Sequence, residues 1–124
     1  VNVLVDTSVW VGHFKQRQPR LVDLLAAGQV VTHPYVVLEV ACGTPPARRD
    51  VIAWLRQLPS TPVATPDELL ALLQARALYG RGCGLVDIGL LGSTLMSGQT
   101  LLWTLDQRLL TLAAELGRAY RPPA

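Results

Sequence analysis

Four acidic residues of this chain, Asp6, Glu39, Asp87 and Asp106, stand where a carboxylate is costly unless something neutralises it. Asp6 directly follows the apolar run Val3 to Val5, and Asp106 closely follows the run Thr100 to Thr104. A carboxylate at such a point has just left the core, where desolvation favours its neutral form. A backbone N–H at the start of the next helix would satisfy either one as an ordinary N-cap. Asp87 falls in the first turn of a helix, a place the helix dipole alone favours. Glu39 is harder to explain away, because it is the single charge in the apolar run Tyr35 to Cys42.

Convergence of the four would demand a cation. Two carboxylates ~4 Å apart repel by roughly 4 kcal/mol at an effective dielectric of about 20. Mg2+ or Mn2+ relieves this, since both are hard cations that prefer carboxylate oxygen and retained water, whereas a zinc site would want paired His and Cys ligands. Such a centre can lower the pKa of a water to make a nucleophile and can stabilise a leaving oxygen, so phosphodiesters can be cleaved without a histidine.

The elements that must position these acids follow from periodicity. Val3 to Val5 predicts a strand, with Thr7 or Ser8 capping a helix that begins near Val9. Pro19 to Ala27 has helical spacing and stops at Gly28, and a second strand follows from Gln29 to Thr32. Pro34 opens the helix that carries Glu39, and Gly43 with Pro45 and Pro46 ends it. A helix is predicted over Arg48 to Leu58, then a proline-rich stretch to Pro66 with a short extended piece at Val63. A longer helix from Thr65 or Pro66 runs to the cluster Gly80, Gly82, Gly84. Val86 to Met96 is a helix with Asp87 in its first turn, Thr100 to Thr104 a buried strand, and Asp106 to Leu116 a final helix. Strands separated by helices imply a three-layer α/β/α arrangement around a central parallel sheet, in which functional residues gather at the C-terminal ends of strands.

Composition bounds the answer. A chain of 124 residues fits one domain, residues 1–124, with no room for a separate substrate domain. Half the residues are apolar, 16% are charged and the mean hydropathy is +0.31, which excludes a disordered tail and raises the question of a membrane. The uncharged stretch Ile88 to Leu105 is long enough to span one, but it contains Gly89, Gly92 and several hydroxyl residues, and its Ser97 to Thr100 cluster reads as a turn between two buried elements. No export signal is visible at the N-terminus, so the cytoplasm is the expected compartment. Cys42 and Cys83 form no C-x-x-C pattern and are expected to be buried free thiols. Ten of the eleven basic residues are arginines, permissive for phosphate contacts.

The segments LVDTSVW at 4–10, EVACG at 39–43, GLVDIGLL at 84–91 and WTLDQRL at 103–109 resemble the four acidic motifs of PIN-domain ribonucleases, in that family's order. The resemblance runs from about Val3 to Leu109 and is most of all to the VapC toxins of bacterial toxin–antitoxin pairs. It implies a Mg2+- or Mn2+-dependent endoribonuclease, a homodimer, and inhibition by a VapB-like antitoxin. Position by position, Asp6, Glu39 and Asp87 match the core acids, Asp106 the more variable fourth, and Ser8 and Thr104 the hydroxyls that hydrogen-bond around them. Leu109 stands where an aromatic is frequent, a departure expected to affect packing.

Other residues admit competing readings. His13 and His33 could supply metal-free acid–base cleavage if both imidazoles met one phosphate, but a surface or packing role is the plainer one. The glycine cluster lacks the Gly-Lys-Ser/Thr of a phosphate-binding loop and reads as a turn presenting Asp87. Trp10, Trp54 and Trp103 are assigned to core or interface packing. Arg17, Arg20, Arg48, Arg49, Arg81 and Arg108 are phosphate-contact candidates only if they cluster around the acids. The rival from another class is a non-catalytic PIN-like module that binds protein or RNA. A receiver-type signalling domain would need a lysine after a late strand, and Lys15 is the only lysine. A structure-specific DNA nuclease would need clamps for which the chain has little surplus.

Overall fold

The computed structural model describes residues 1–123. Three parallel strands form the sheet: β1 (Asn2–Val5) lies between β2 (Val30–Val31) and β3 (Thr100–Trp103). In register, Leu4 faces Val31 on one side and Leu102 on the other. The helices α1 (Thr7–Lys15), α2 (Pro19–Ala26), α3 (Pro34–Cys42), α4 (Arg48–Leu55), α5 (Pro66–Arg76), α6 (Leu85–Met96) and α7 (Gln107–Glu115) flank it, giving the α/β/α layering. Strands covered on both faces read as continuous hydrophobic runs, as Val3, Leu4 and Val5 do, all of them buried.

Local chemistry sets the ends of the elements. Thr65 caps α5 in a reciprocal box: its hydroxyl accepts the Glu68 N–H at 3.2 Å and the Glu68 carboxylate accepts the Thr65 N–H at 2.9 Å. Helix α4 ends at Leu55, not Leu58, because Pro59 turns the residue before it away from helical geometry. Val63, where the sequence predicts a short extended piece, is exposed and joins no strand. The bridge falls earlier, where Thr32 pairs with Ser60, and Pro62 lacks the N–H needed to carry it on. On the other side of the sheet Leu102 pairs with Ala119.

Gly89 and Gly92 serve close packing. They lie inside α6, where a Cβ at Gly92 would come 2.8 Å from Leu69 Cδ2 and one at Gly89 3.2 Å from the Tyr35 ring, so α6 packs closely on α5 and α3. Among the described residues no helix is long and apolar enough to cross a membrane. Trp10 and Trp103 belong to the core, and Leu109 is fully buried. Trp54 lies edge-on to Trp10 with ring centroids 5.6 Å apart and remains 42% exposed. The two thiols are free, but Cys42, at the end of α3, is exposed instead of buried.

Candidate active site

Asp6 is where β1 ends, and its N–H still donates to the Trp103 carbonyl at 2.9 Å, which holds the ends of β1 and β3 side by side. The expected cap at Thr7 or Ser8 is not what forms: α1 starts at Thr7 and Asp6 occupies the N-cap position. Its carboxylate makes no capping bond. Instead Oδ2 accepts the hydroxyls of Ser8 at 2.7 Å and of Thr104 at 2.8 Å. Each hydroxyl is itself held by the turn after β3, for Leu105 N–H donates to Ser8 Oγ and Asp106 N–H to Thr104 Oγ1, both at 3.0 Å. Two relays thus fix one oxygen of a side chain that is only 6% exposed.

The other acids are held by comparable means. Asp106 caps α7 through Oδ1, which accepts the N–H groups of Arg108 at 2.9 Å and Leu109 at 3.0 Å. The ordinary capping reading therefore applies to Asp106 and not to Asp6. Glu39, exposed on α3, accepts the Thr7 hydroxyl on Oε1 at 2.7 Å, so the start of α1 orients it. Among the described residues no hydrogen bond engages Asp6 Oδ1, Asp106 Oδ2 or Glu39 Oε2. One oxygen of each is anchored and the other is available.

Asp87, half-buried in the first turn of α6, lies within electrostatic reach of the other three acids. Burial pushes its carboxyl above the usual range, the Gly84 backbone pulls it down, and the charges of Asp6, Asp106 and Glu39 push it up again. None of these influences comes from a basic side chain. Electrostatic reach is still looser than coordination: among the described residues, no three His, Cys, Asp or Glu side chains are grouped closely enough to hold a metal ion. In charge and donor type the set nevertheless fits a hard divalent cation, with four carboxylates and a free oxygen on each of the three anchored ones.

The imidazoles do not join the cluster. His33 Nδ1 accepts the Tyr35 N–H and His13 Nδ1 the Gln18 N–H, each at 3.0 Å. Burial pushes both below the ordinary histidine range, with Arg17 adding to the effect at His13. Both rings cap backbone, and neither is presented as half of an acid–base pair.

Replacing Thr104 with valine removes a donor to Asp6 and the acceptor for Asp106 N–H. The ribonuclease activity that the motif resemblance implies is expected to fall by about 10 to 100-fold in this variant, the usual cost of losing an outer partner of a ligand. Recovery in Thr104→Ser, measured in the same assay, would assign the loss to the hydroxyl; no recovery would assign it to packing.

The PIN domain family model matches residues 3–115, a span that includes all four acids. Ribonuclease VapC32 of Mycobacterium tuberculosis, in strains CDC 1551 / Oshkosh and ATCC 25618 / H37Rv, is 45% identical over 117 residues, 94% of each chain. With both matches spanning nearly the whole chain, its parallel sheet and the acids at its strand ends have a family: the chain is a VapC-type member of the PIN-domain family.

Proposed function

We propose that this protein is a Mg2+- or Mn2+-dependent endoribonuclease toxin that acts in the cytoplasm as a homodimer and is inhibited by a VapB-like antitoxin. The observation that carries the reading is the anchoring pattern, in which three acids each have one oxygen fixed by hydroxyl or amide donors and one left free. The ribonuclease name of the relatives supports RNA as the substrate.

Asp6, Glu39, Asp87 and Asp106 would hold the cation. When bound, it supplies Lewis-acid activation of water and charge neutralisation at the scissile phosphate. The chain's own part is to fix Asp6 through Ser8 and Thr104, orient Glu39 through Thr7, and present Asp106 from the α7 cap. The capping role of Asp106 also favours a second reading, a binding module in which the acids dock a basic peptide without chemistry.

Incubation of purified protein, freed of any partner, with single-stranded and structured RNA in Mg2+ or Mn2+ separates the two. The nuclease reading expects cuts that vanish with EDTA and in Asp6→Asn. Cuts that survive EDTA would contradict cation dependence, and the absence of cuts on every RNA would leave the binding module.

A further inference from the structure

The acidic cluster poses a problem that its own residues do not solve. Four carboxylates repel the polyanion they are to cut, so a cation is needed at the rim to bring a phosphodiester up to them. The structure sorts the arginines for that role. Arg81 forms a two-pronged ion pair with Glu115, at 2.7 and 3.1 Å. Arg48 grips the Ala41 carbonyl through Nε at 3.1 Å and its terminal nitrogen at 2.6 Å, and Arg20 Nε donates to the Tyr120 hydroxyl at 2.6 Å.

Arg17, Arg49 and Arg108 have no such partner among the described residues, and of these three Arg108 alone adjoins one of the four acids in the chain. It is exposed, and among the described residues no carboxylate lies within ion-pairing distance of it. It sits in the first turn of α7, two residues after Asp106, whose Oδ1 holds its backbone N–H at 2.9 Å. Its side chain lies over Gly82, where a Cβ would fall 2.8 Å from Cδ and 3.1 Å from Nε and the nearer terminal nitrogen. Gly82 has φ +85°, a conformation that by itself favours glycine, and it is the missing Cβ that leaves the space the arginine occupies. The half-buried Cys83 marks where this places the charge. Burial raises its thiol pKa and Asp87 and Asp106 raise it further, whereas Arg108 and Arg81 lower it. The contact of Arg108 with Gly82 and its place two residues after Asp106 set it beside the acidic cluster.

We propose that Arg108 grips a non-bridging phosphate oxygen of the RNA strand entering the acidic site, and that Gly82 is the positioning residue that leaves it room. A guanidinium suits this task because its planar donors match two phosphate oxygens at once. The inference rests on the ribonuclease reading.

The test compares wild type, Arg108→Ala, Arg108→Lys and Gly82→Ala, with Arg49→Ala removing the same charge from α4 as the control. Cleavage of a single-stranded RNA in Mg2+ gives kcat and KM, and binding of the same RNA is followed against NaCl. Arg108→Ala should raise KM about tenfold, equivalent to about 1.4 kcal/mol of binding, with kcat nearly unchanged. It should also flatten the slope of log K against log salt by about 0.7, the loss of one single-strand phosphate contact. Arg108→Lys should fall between the two, and Gly82→Ala should raise KM in the same direction. An active wild type whose KM and salt slope survive Arg108→Ala, or change equally in Arg49→Ala, overturns this inference alone, as does a fall in kcat at constant KM. A wild type that neither binds nor cuts RNA overturns the nuclease reading and this inference with it.

Discussion

Asp87→Asn is expected to abolish RNA cleavage while making the cation-free protein more stable. Outer partners of a metal ligand already cost about 10 to 100-fold when lost, so removal of the carboxylate itself should exceed about 100-fold. The stability change has the opposite sign for a reason already in the site. Burial and three neighbouring acids push the Asp87 carboxyl above its ordinary value of 3.8. Between that value and the raised one the folded protein binds more protons than the unfolded chain, so stability rises as pH falls through the raised pKa. At neutral pH, ionised Asp87 is a burden that asparagine lacks. In EDTA at pH 7 the variant should melt higher than wild type, and the gap should close as pH approaches 3.8. Mg2+ should then stabilise wild type more than the variant. A variant that melts lower throughout, or still cuts RNA, would contradict the assignment of Asp87.

The second large effect is on the scaffold. Leu4 is 0% exposed at the centre of β1, between Val31 and Leu102 in the flanking strands. Leu4→Ala leaves a cavity where the sheet has little freedom to collapse, and such truncations cost about 2 to 5 kcal/mol. Against a total of about 5 to 15 kcal/mol for a domain, that should lower Tm by about 10 °C or more. Because Asp6 is two residues further on, activity should fall at temperatures where the protein remains folded. Thermal unfolding followed by circular dichroism measures the first effect, and a loss below about 1 kcal/mol would mean that β1 is not packed as described.

Much of this was legible in the chain. Asp6 and Asp106 could be placed at one edge of the sheet because parallel strands separated by helices bring their C-terminal ends together, although the adjacency of β1 and β3 came only from the fold. Glu39 could be singled out because one charge in an apolar run demands an explanation. What local patterns could not reveal were pairings between distant residues. Thr7 looked like a cap, but its hydroxyl serves Glu39, 32 positions away. Ser8 and Thr104 were named by resemblance, yet their backbone supports, Leu105 and Asp106, arise only when β1 and β3 lie together. Asp6 and Asp106 follow strands in much the same way, and only the folded geometry shows that one caps a helix and the other does not. The exposed Cys42 was missed because the apolar run around it hides which way the last turn of α3 faces.

The two single-residue bridges at the margins of the sheet have a consequence for behaviour at high concentration. A strand edge with a row of unpaired N–H and C=O groups invites a second molecule to add its own strand. Here β2 is only two residues long and Ser60 pairs beside it, while Ala119 lies against Leu102 with Tyr120 N–H donating to the Leu102 carbonyl at 2.8 Å. Each margin is occupied by a short piece of irregular chain, and Pro62 and Pro122 follow those pieces closely, so neither can grow into a longer ladder. The molecule thus limits the templating of further strands on an apolar parallel sheet by short, proline-terminated margins, one of them flanked by Arg118 and Arg121.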